Sequence, residues 1–444
     1  MSRRRPYPAY ECQYRADVWR GGLAYLAGGS CSLEESTAVV HQLFVGIDWA
    51  VEGHQVCLLR PTGKPRQVTV LHAADAYARF LADLRREVDG EAGLIAVAIE
   101  TPLHPLVDAL LEAGIPVYSL NPKQLDRFRD RHSPAGAKDD RRDAFVLADA
   151  LRSDLPKFHR VEQPDPLTAQ LIVTFRHYRT LREDLGCTTN RLWQLLQRCA
   201  PHLLALSESP DDDAVFWDLL DLSLDPEKAR TLRLARVQAV LKRHHIRRFG
   251  ASEALALLRR PRLQLTPGTL AALLCQAADL TAQARVTYAA LRRARATLKR
   301  LLTQAGSRAE VVDSLPGADV VVTAAFLAEA PGALREQDLQ ALRTRCGTAP
   351  LTRRSGTSMH SVRMRRACVP ALRDACWAMA RTAVLHDPWA RQYYRALIGR
   401  GHSHNRALRS VADRLLARLV VLLRTGTHWD PEKARSEDAT ATAA

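Results

Sequence analysis

LFVGIDWA (43–50) is an apolar run that stops on a carboxylate, and this ending decides how the chain is read. Leu, Phe, Val and Ile in succession favour a buried strand. A charge at the end of such a strand is costly unless something pairs with it. GLIAVAIETP (93–102) repeats the pattern and ends on Glu100. In AKDDRRDAFVLADAL (137–151), Asp140 and Asp143 stand three residues apart, so a helix carries both on one face. Taken singly, an Asp after a strand is a cap or turn residue, and an acid pair on a helix is a solvated face. The ordered set says more. Two strand-end acids facing a helical pair offer oxygen ligands of the kind divalent cations take, and paired metals suit phosphodiester chemistry. Such a site would bring facing carboxylate oxygens to on the order of 4–5 Å.

Around these acids, residues 42–153 read as an α/β domain. Strands are expected at 43–48, 54–60, 67–71, 93–99 and 115–119, with helices at 74–88, 103–113, 122–130 and 139–152. Early strands followed by alternating strands and helices fit a mixed sheet. RDRHSPAGAKDD (129–140) reads as a loop broken by Pro134 and Gly136. Its Arg129, Arg131 and Lys138 could meet phosphates, or simply form a solvated basic loop.

The ordered set GIDWA (46–50), IETP (99–102), LNP (120–122) and KDDRRDA (138–144) resembles the DEDD transposases of bacterial insertion sequences. These are the group related to the Piv DNA invertase, also called bridge-RNA-guided recombinases. Their last motif usually reads Lys-Ser/Thr-Asp, where this chain has Asp139 before Asp140. The resemblance implies a ribonuclease-H-like (RuvC-like) N-terminal domain, with Asp48, Glu100, Asp140 and Asp143 holding Mg²⁺.

Composition agrees with a nucleic-acid partner. The 444 residues suffice for two or three domains, and 47% hydrophobic content supports real cores. Against 48 Asp and Glu stand 64 Lys and Arg, a net charge of +16 that favours a polyanion. The nine cysteines form no CxxC pair and read as reduced thiols. No apolar stretch approaches membrane-spanning length. Residues 1–41 show no periodicity, and read as a disordered extension or as upstream sequence translated from a start assigned too early.

Residues 154–305 carry apolar residues at helical spacing with arginines on the other faces, and read as a helical coiled-coil spacer. Residues 306–428 form a mainly helical last domain, followed by a disordered tail over 429–444. In it, VVDSLPGADVVVTAAFLAEA (311–330) resembles the family's helix-hairpin-helix entry, although Asp319 would repel phosphate there. A plain packing turn is the competing reading.

LRTRCGTAPLTRRSGTSMHSVRMRRACVPALRDACWAMA (342–380) resembles the family's Gly-Leu-x-Pro and Ser-Gly segments. Ser-Gly alone is a common turn, but in the family this serine is the nucleophile, which implies that role for Ser355. Lys138, Arg353, Arg354, Arg363, Arg365 and Arg366 are the candidate phosphate contacts.

The resemblance further implies DNA cleavage through a 5′-phosphoserine, a structured noncoding guide RNA and a homodimer or homotetramer acting in the bacterial cytoplasm at the nucleoid. Two other classes fit part of the pattern. A metal-dependent junction nuclease would use the acids without the serine and leave unjoined ends. A nucleic-acid-binding transposase relic would need neither site.

Overall fold

The computed structural model describes residues 40–100, 102, 104–120, 122–132, 139–207, 209, 213–353 and 361–434. Its first part is a six-stranded sheet in the order β3-β2-β1-β4-β5-β6, where β1 is Leu43–Asp48, β2 Gly53–Leu59, β3 Arg66–Leu71, β4 Ile95–Ile99, β5 Val117–Ser119 and β6 His159–Arg160. β1 pairs antiparallel with β2 and parallel with β4; β5 continues in parallel and β6 closes the edge antiparallel. Helices α1 (Ala74–Arg86), α2 (Pro105–Glu112), α3 (Pro122–His132) and α4 (Asp140–Asp154) complete this part. The arrangement is consistent with the ribonuclease-H-like expectation.

Strand parity decides which side chains face which layer, because alternate residues point to opposite faces. Leu43, Val45, Ile47, Ile95, Val97 and Ile99 enter one core with Phe80, Leu84, Leu106 and Leu110 of α1 and α2. Phe44, Ala96 and Ala98 enter the other, with Ala144, Leu147 and Leu151 of α4. Asp48 and Glu100 continue this second series, so both acids lie on the α4 side. The small residues Gly46, Ala96 and Ala98 let that helix come close. A Cβ on Gly46 would lie 2.0 Å from the Ala144 carbonyl oxygen and 2.5 Å from the Ala148 nitrogen.

The domain boundaries differ from the sequence reading. Among the described residues, those up to Ala169 and from Ala305 onward form one compact unit, and those of Gln170–Gln304 form another. The expected break at 153 falls too early because β6 still belongs to the sheet, through Tyr118↔Arg160 and Ser119↔His159. Within the first unit, Arg335 is 2.6 Å from Glu162, joining the late helices to the segment after β6.

The middle segment comprises α5 (Pro166–Cys199), α6 (Ala214–Ser223), α7 (Pro226–Arg230), α8 (Leu234–Arg243), α9 (Ala251–Leu258) and α10 (Pro267–Gln304). It is more than a coiled-coil spacer. Leu192, Leu196, Phe216, Trp217, Val237, Leu258 and Leu273 share a core of their own, which four short helices fill between two long ones.

The last part holds α11 (Ser307–Asp313), α12 (Val320–Glu329), α13 (Pro331–Arg335), α14 (Leu339–Cys346), the antiparallel hairpin β7 (Pro350–Arg353) and β8 (Ser361–Met364), α15 (Pro370–His386), α16 (Pro388–Gly399) and α17 (His404–Thr425). The Pro-Gly turn between α11 and α12 is a packing element. Gly317 has φ +83°, and a Cβ there would meet the Met379 carbonyl oxygen of α15 at 2.2 Å. Asp319 caps α12 by accepting from the Val321 and Val322 amides.

Residues 429–434 correct the expected disordered tail. The Trp429 amide donates to Ser314 Oγ at 3.0 Å, and its ring meets Trp389 edge-on at 5.3 Å. Among the described residues no helix is long and apolar enough to cross a membrane.

Candidate active site

α4 brings the acid pair to the sheet. Asp139 is its N-cap and accepts from the Arg141 amide at 3.4 Å. Asp140 and Asp143 fall in the first turn, where the helix dipole favours negative charge. The register pairs Ile47 with Ile99, which leaves Asp48 and Glu100 next in line on adjacent parallel strands.

The charges of the other three acids reach Asp48. Burial first, then the charges of Asp143, Asp140 and Glu100, push its carboxyl up to about 7, against a smaller opposing effect of Arg129. A carboxyl raised in this way marks a pocket of excess negative charge, and a divalent cation is the partner that relieves it. The donor set therefore fits a hard divalent metal.

The tighter convergence expected of these acids is not reached. Among the described residues, no three of the acids have their donor atoms all within 4.8 Å of one another. Asp143 is instead held by Arg129, whose Nε and Nη2 donate to its two oxygens at 2.7 and 2.6 Å. Arg129 also donates to Asp126 at 2.6 Å. This cation, read from the sequence as either a phosphate contact or part of a solvated basic loop, offsets a carboxylate in the site itself.

Asp149 escaped the sequence reading. It is buried six positions beyond Asp143 on α4, between Arg152 at 2.6 Å and His132 Nε2 at 3.0 Å. It ties the end of α3 to α4.

A histidine cluster also escaped it. His54, His72 and His104 place ring nitrogens within 4.8 Å of one another, although 18 and 32 residues separate them in sequence. Hydrogen bonding decides the state of this cluster. The Ala50 amide donates to His54 Nδ1 at 3.2 Å, so the neutral ring keeps its proton on Nε2 and donates to the Tyr77 hydroxyl at 2.9 Å. Tyr77 in turn donates to His72 Nδ1 at 2.6 Å.

His104 Nδ1 caps α2 by accepting from the Leu106 amide. A metal on the Nε2 atoms would require His54 and His104 to change tautomer and give up these backbone donors. The cluster reads as a hydrogen-bonded brace beneath the loop that follows Asp48. Tyr77→Phe is expected to cost about 1–3 kcal/mol by stranding a buried nitrogen, measured by urea unfolding at pH 7.5; no loss of stability would refute the brace.

Lys138, Arg354 and Ser355 lie outside the described residues, as do residues 1–39. Arg353 and Arg363 are placed in β7 and β8, opposite Ser361 and Leu351. Arg365 donates to the Ala367 carbonyl at 2.9 Å and Arg366 is exposed. Residues 354–360, Ser355 among them, fall between these two strands in the sequence.

A family model for DEDD transposases of the IS110 kind matches residues 45–201, and one described as the transposase IS116/IS110/IS902 family matches residues 309–395. The protein named for a transposase of the IS117 mini-circle of Streptomyces coelicolor is 31% identical over 401 residues, covering 88% of this chain and 96% of that protein. The chain belongs to the IS110/IS116/IS902 transposase family. A second relative, y4uE of Sinorhizobium fredii, whose name describes a transposase, is 41% identical over 218 residues, 47% of this chain and 58% of that protein. The 42 kDa protein of insertion element IS900 of Mycobacterium paratuberculosis is 27% identical over 318 residues, 68% of this chain and 77% of that protein. The first family match contains all four acids; the second contains Ser355 and the β7–β8 hairpin.

Proposed function

We propose that this transposase of the IS110/IS116/IS902 family cuts and rejoins DNA with Asp48, Glu100, Asp140 and Asp143 as metal ligands and Ser355 as nucleophile. The observation that carries the reading is the Asp48 carboxyl, raised by burial and then by the charges of Asp143, Asp140 and Glu100. When bound, a divalent cation, Mg²⁺ in this reading, would neutralise the four acids and polarise the scissile phosphate.

The chain's own groups do the rest. Ser355 Oγ attacks phosphorus, the bond to the 3′ oxygen breaks, and the serine's proton ends on the departing 3′-hydroxyl. The phosphoserine conserves the bond, so a second 3′-hydroxyl can displace the serine without ATP. Arg353, Arg354, Arg363, Arg365 and Arg366, with Lys138, hold the strand by charge-assisted contacts to phosphate. That the sheet and the late helices belong to one compact unit supports a site built from both. A structured RNA from the element and a homo-oligomeric synapse complete the reading, and the +16 charge suits both polyanions.

Ser355→Ala tests it. The variant should keep DNA binding and metal binding, yet lose both the covalent protein–DNA adduct and strand exchange. An adduct mapping to Thr352, Thr357 or Ser358 would overturn the assignment. Efficient cleavage by the native protein with no adduct would favour a hydrolytic nuclease.

A further inference from the structure

A cationic cleft lies beside Pro350 at the start of β7, and most of its lining comes from residues that the proposed chemistry does not use. It measures about 300 Å³, and its lining includes Arg343 of α14, Pro350 of β7, Tyr393 of α16 and Arg406, Arg409 and Arg414 of α17. The α17 arginines, with Ser410 and Asp413, fall three to four residues apart along one face of that helix.

Four arginines against one aspartate make the cleft electropositive. Asp413 is already committed. It accepts from Arg343 Nε and Nη2, both at 2.8 Å, and from Thr348 Oγ1 at 3.0 Å. It therefore fixes the Arg343 fork, and Arg406 and Arg409 of α17 add their charge beside it. His402, also in the lining, buries its Nδ1 with no partner among the described residues. Tyr393 backs the cleft, stacked on Trp389 with rings 6.0 Å apart and 6° from parallel.

Convergent arginines with a buried imidazole nitrogen suit an oxyanion. Position says which one. Pro350 lines the cleft and stands five residues before Ser355, so the serine lies within roughly 18 Å of it along an extended chain. We infer that this cleft holds a backbone phosphate of the DNA strand that Ser355 attacks, a few nucleotides from the cut, and so sets the register of the scissile bond. Arg406 and Arg409 make that contact, Asp413 positions Arg343, and His402 Nδ1 gains a partner when the phosphate is seated. The inference rests on the nucleophile hairpin of the proposed function and adds a subsite to it.

The experiment compares the full-length protein with the Arg406→Ala/Arg409→Ala variant, checked for native circular dichroism and melting. A short fluorescein-labelled DNA duplex is titrated in fluorescence anisotropy across a range of salt, and the same sequence as RNA is run in parallel. The variant should bind DNA roughly five- to tenfold more weakly, with the slope of log K against log salt reduced by about one. Arg406→Lys/Arg409→Lys should recover part of the affinity. Neutral methylphosphonates walked along the duplex should find one position that weakens native binding and leaves the variant indifferent.

Unchanged affinity and slope in the variant would overturn the inference, and so would a loss confined to RNA. These results are separable from failure of the proposed function. There the native protein forms no serine adduct, whatever the variant binds.

Discussion

Asp48→Asn is expected to abolish DNA cleavage while making the metal-free protein harder to unfold at pH 8. The two effects share one cause. In the folded protein the Asp48 carboxyl is raised to about 7 by burial and by Asp143, Asp140 and Glu100. In the unfolded chain it titrates near 3.8. Between those values the folded state holds a proton that the unfolded state has released, so stability falls as pH rises, and above pH 7 the whole cost is present. After allowance for partial exposure and for Arg129, that cost is on the order of 2–4 kcal/mol.

Asparagine removes the charge and keeps the shape. The melting temperature in EDTA should therefore rise at pH 8 and change little at pH 4. Activity moves the other way, because a lost anionic ligand weakens metal binding; a fall of at least ~10³-fold in cleavage is expected. His54 makes the test sharper. Burial, then His104 and His72, lower it to about 4, so the folded state refuses a proton that the unfolded chain accepts below about 6.5. Its contribution is full above that pH and is lost as pH falls towards 4, opposite in sign to that of Asp48. The native protein should show a shallow pH dependence, and Asp48→Asn should expose an acid-side loss. If melting at pH 8 is unchanged and the acid side stays flat, the acids are not gathered as described.

How far the sequence revealed this site depends on the kind of signal each residue left. Asp48 and Glu100 were legible because an apolar strand ending on a charge breaks its own pattern, and strands 43–48 and 95–99 were found where that pattern lies. Asp140 and Asp143 were legible through helical spacing. His54, His72 and His104 were not, because β2, the end of β3 and the cap of α2 converge only after folding. β6 has two residues, His159 and Arg160, too few to alternate. The β7–β8 hairpin was not read from the sequence, because arginines interrupt the apolar alternation by which a strand is recognised. In the middle segment, helical periodicity was read correctly, but periodicity does not tell a spacer from a domain. Leu192, Trp217 and Leu273 meet in one core because short turns fold α6–α9 back between the long helices.

Gly46 connects the legible motif to the fold, and its substitution is expected to have the largest effect on stability. The residue sits in β1 on the face covered by α4, two positions before Asp48. A Cβ at Gly46 would stand 2.0 Å from the Ala144 oxygen, 2.5 Å from the Ala148 nitrogen and 2.9 Å from Leu147 Cβ. Two of these are helix backbone atoms, so no rotamer change can relieve the overlap. Either α4 backs away along its length or β1 shifts within a sheet paired on both sides. Both routes open a tightly packed core, and a cost above ~4 kcal/mol is expected for Gly46→Ala.

Gly93→Ala is the control, since a Cβ there has nothing within 4 Å; it should change stability by less than ~0.5 kcal/mol. Urea unfolding of the two variants beside the native protein makes the comparison. Should Gly46→Ala fold at all, the displaced helix would carry Asp140 and Asp143 away from Asp48, and the Asp48 carboxyl would fall back towards its ordinary range. A Gly46→Ala protein of native stability would mean that α4 does not lie against β1, and the four-acid site would fall with that contact.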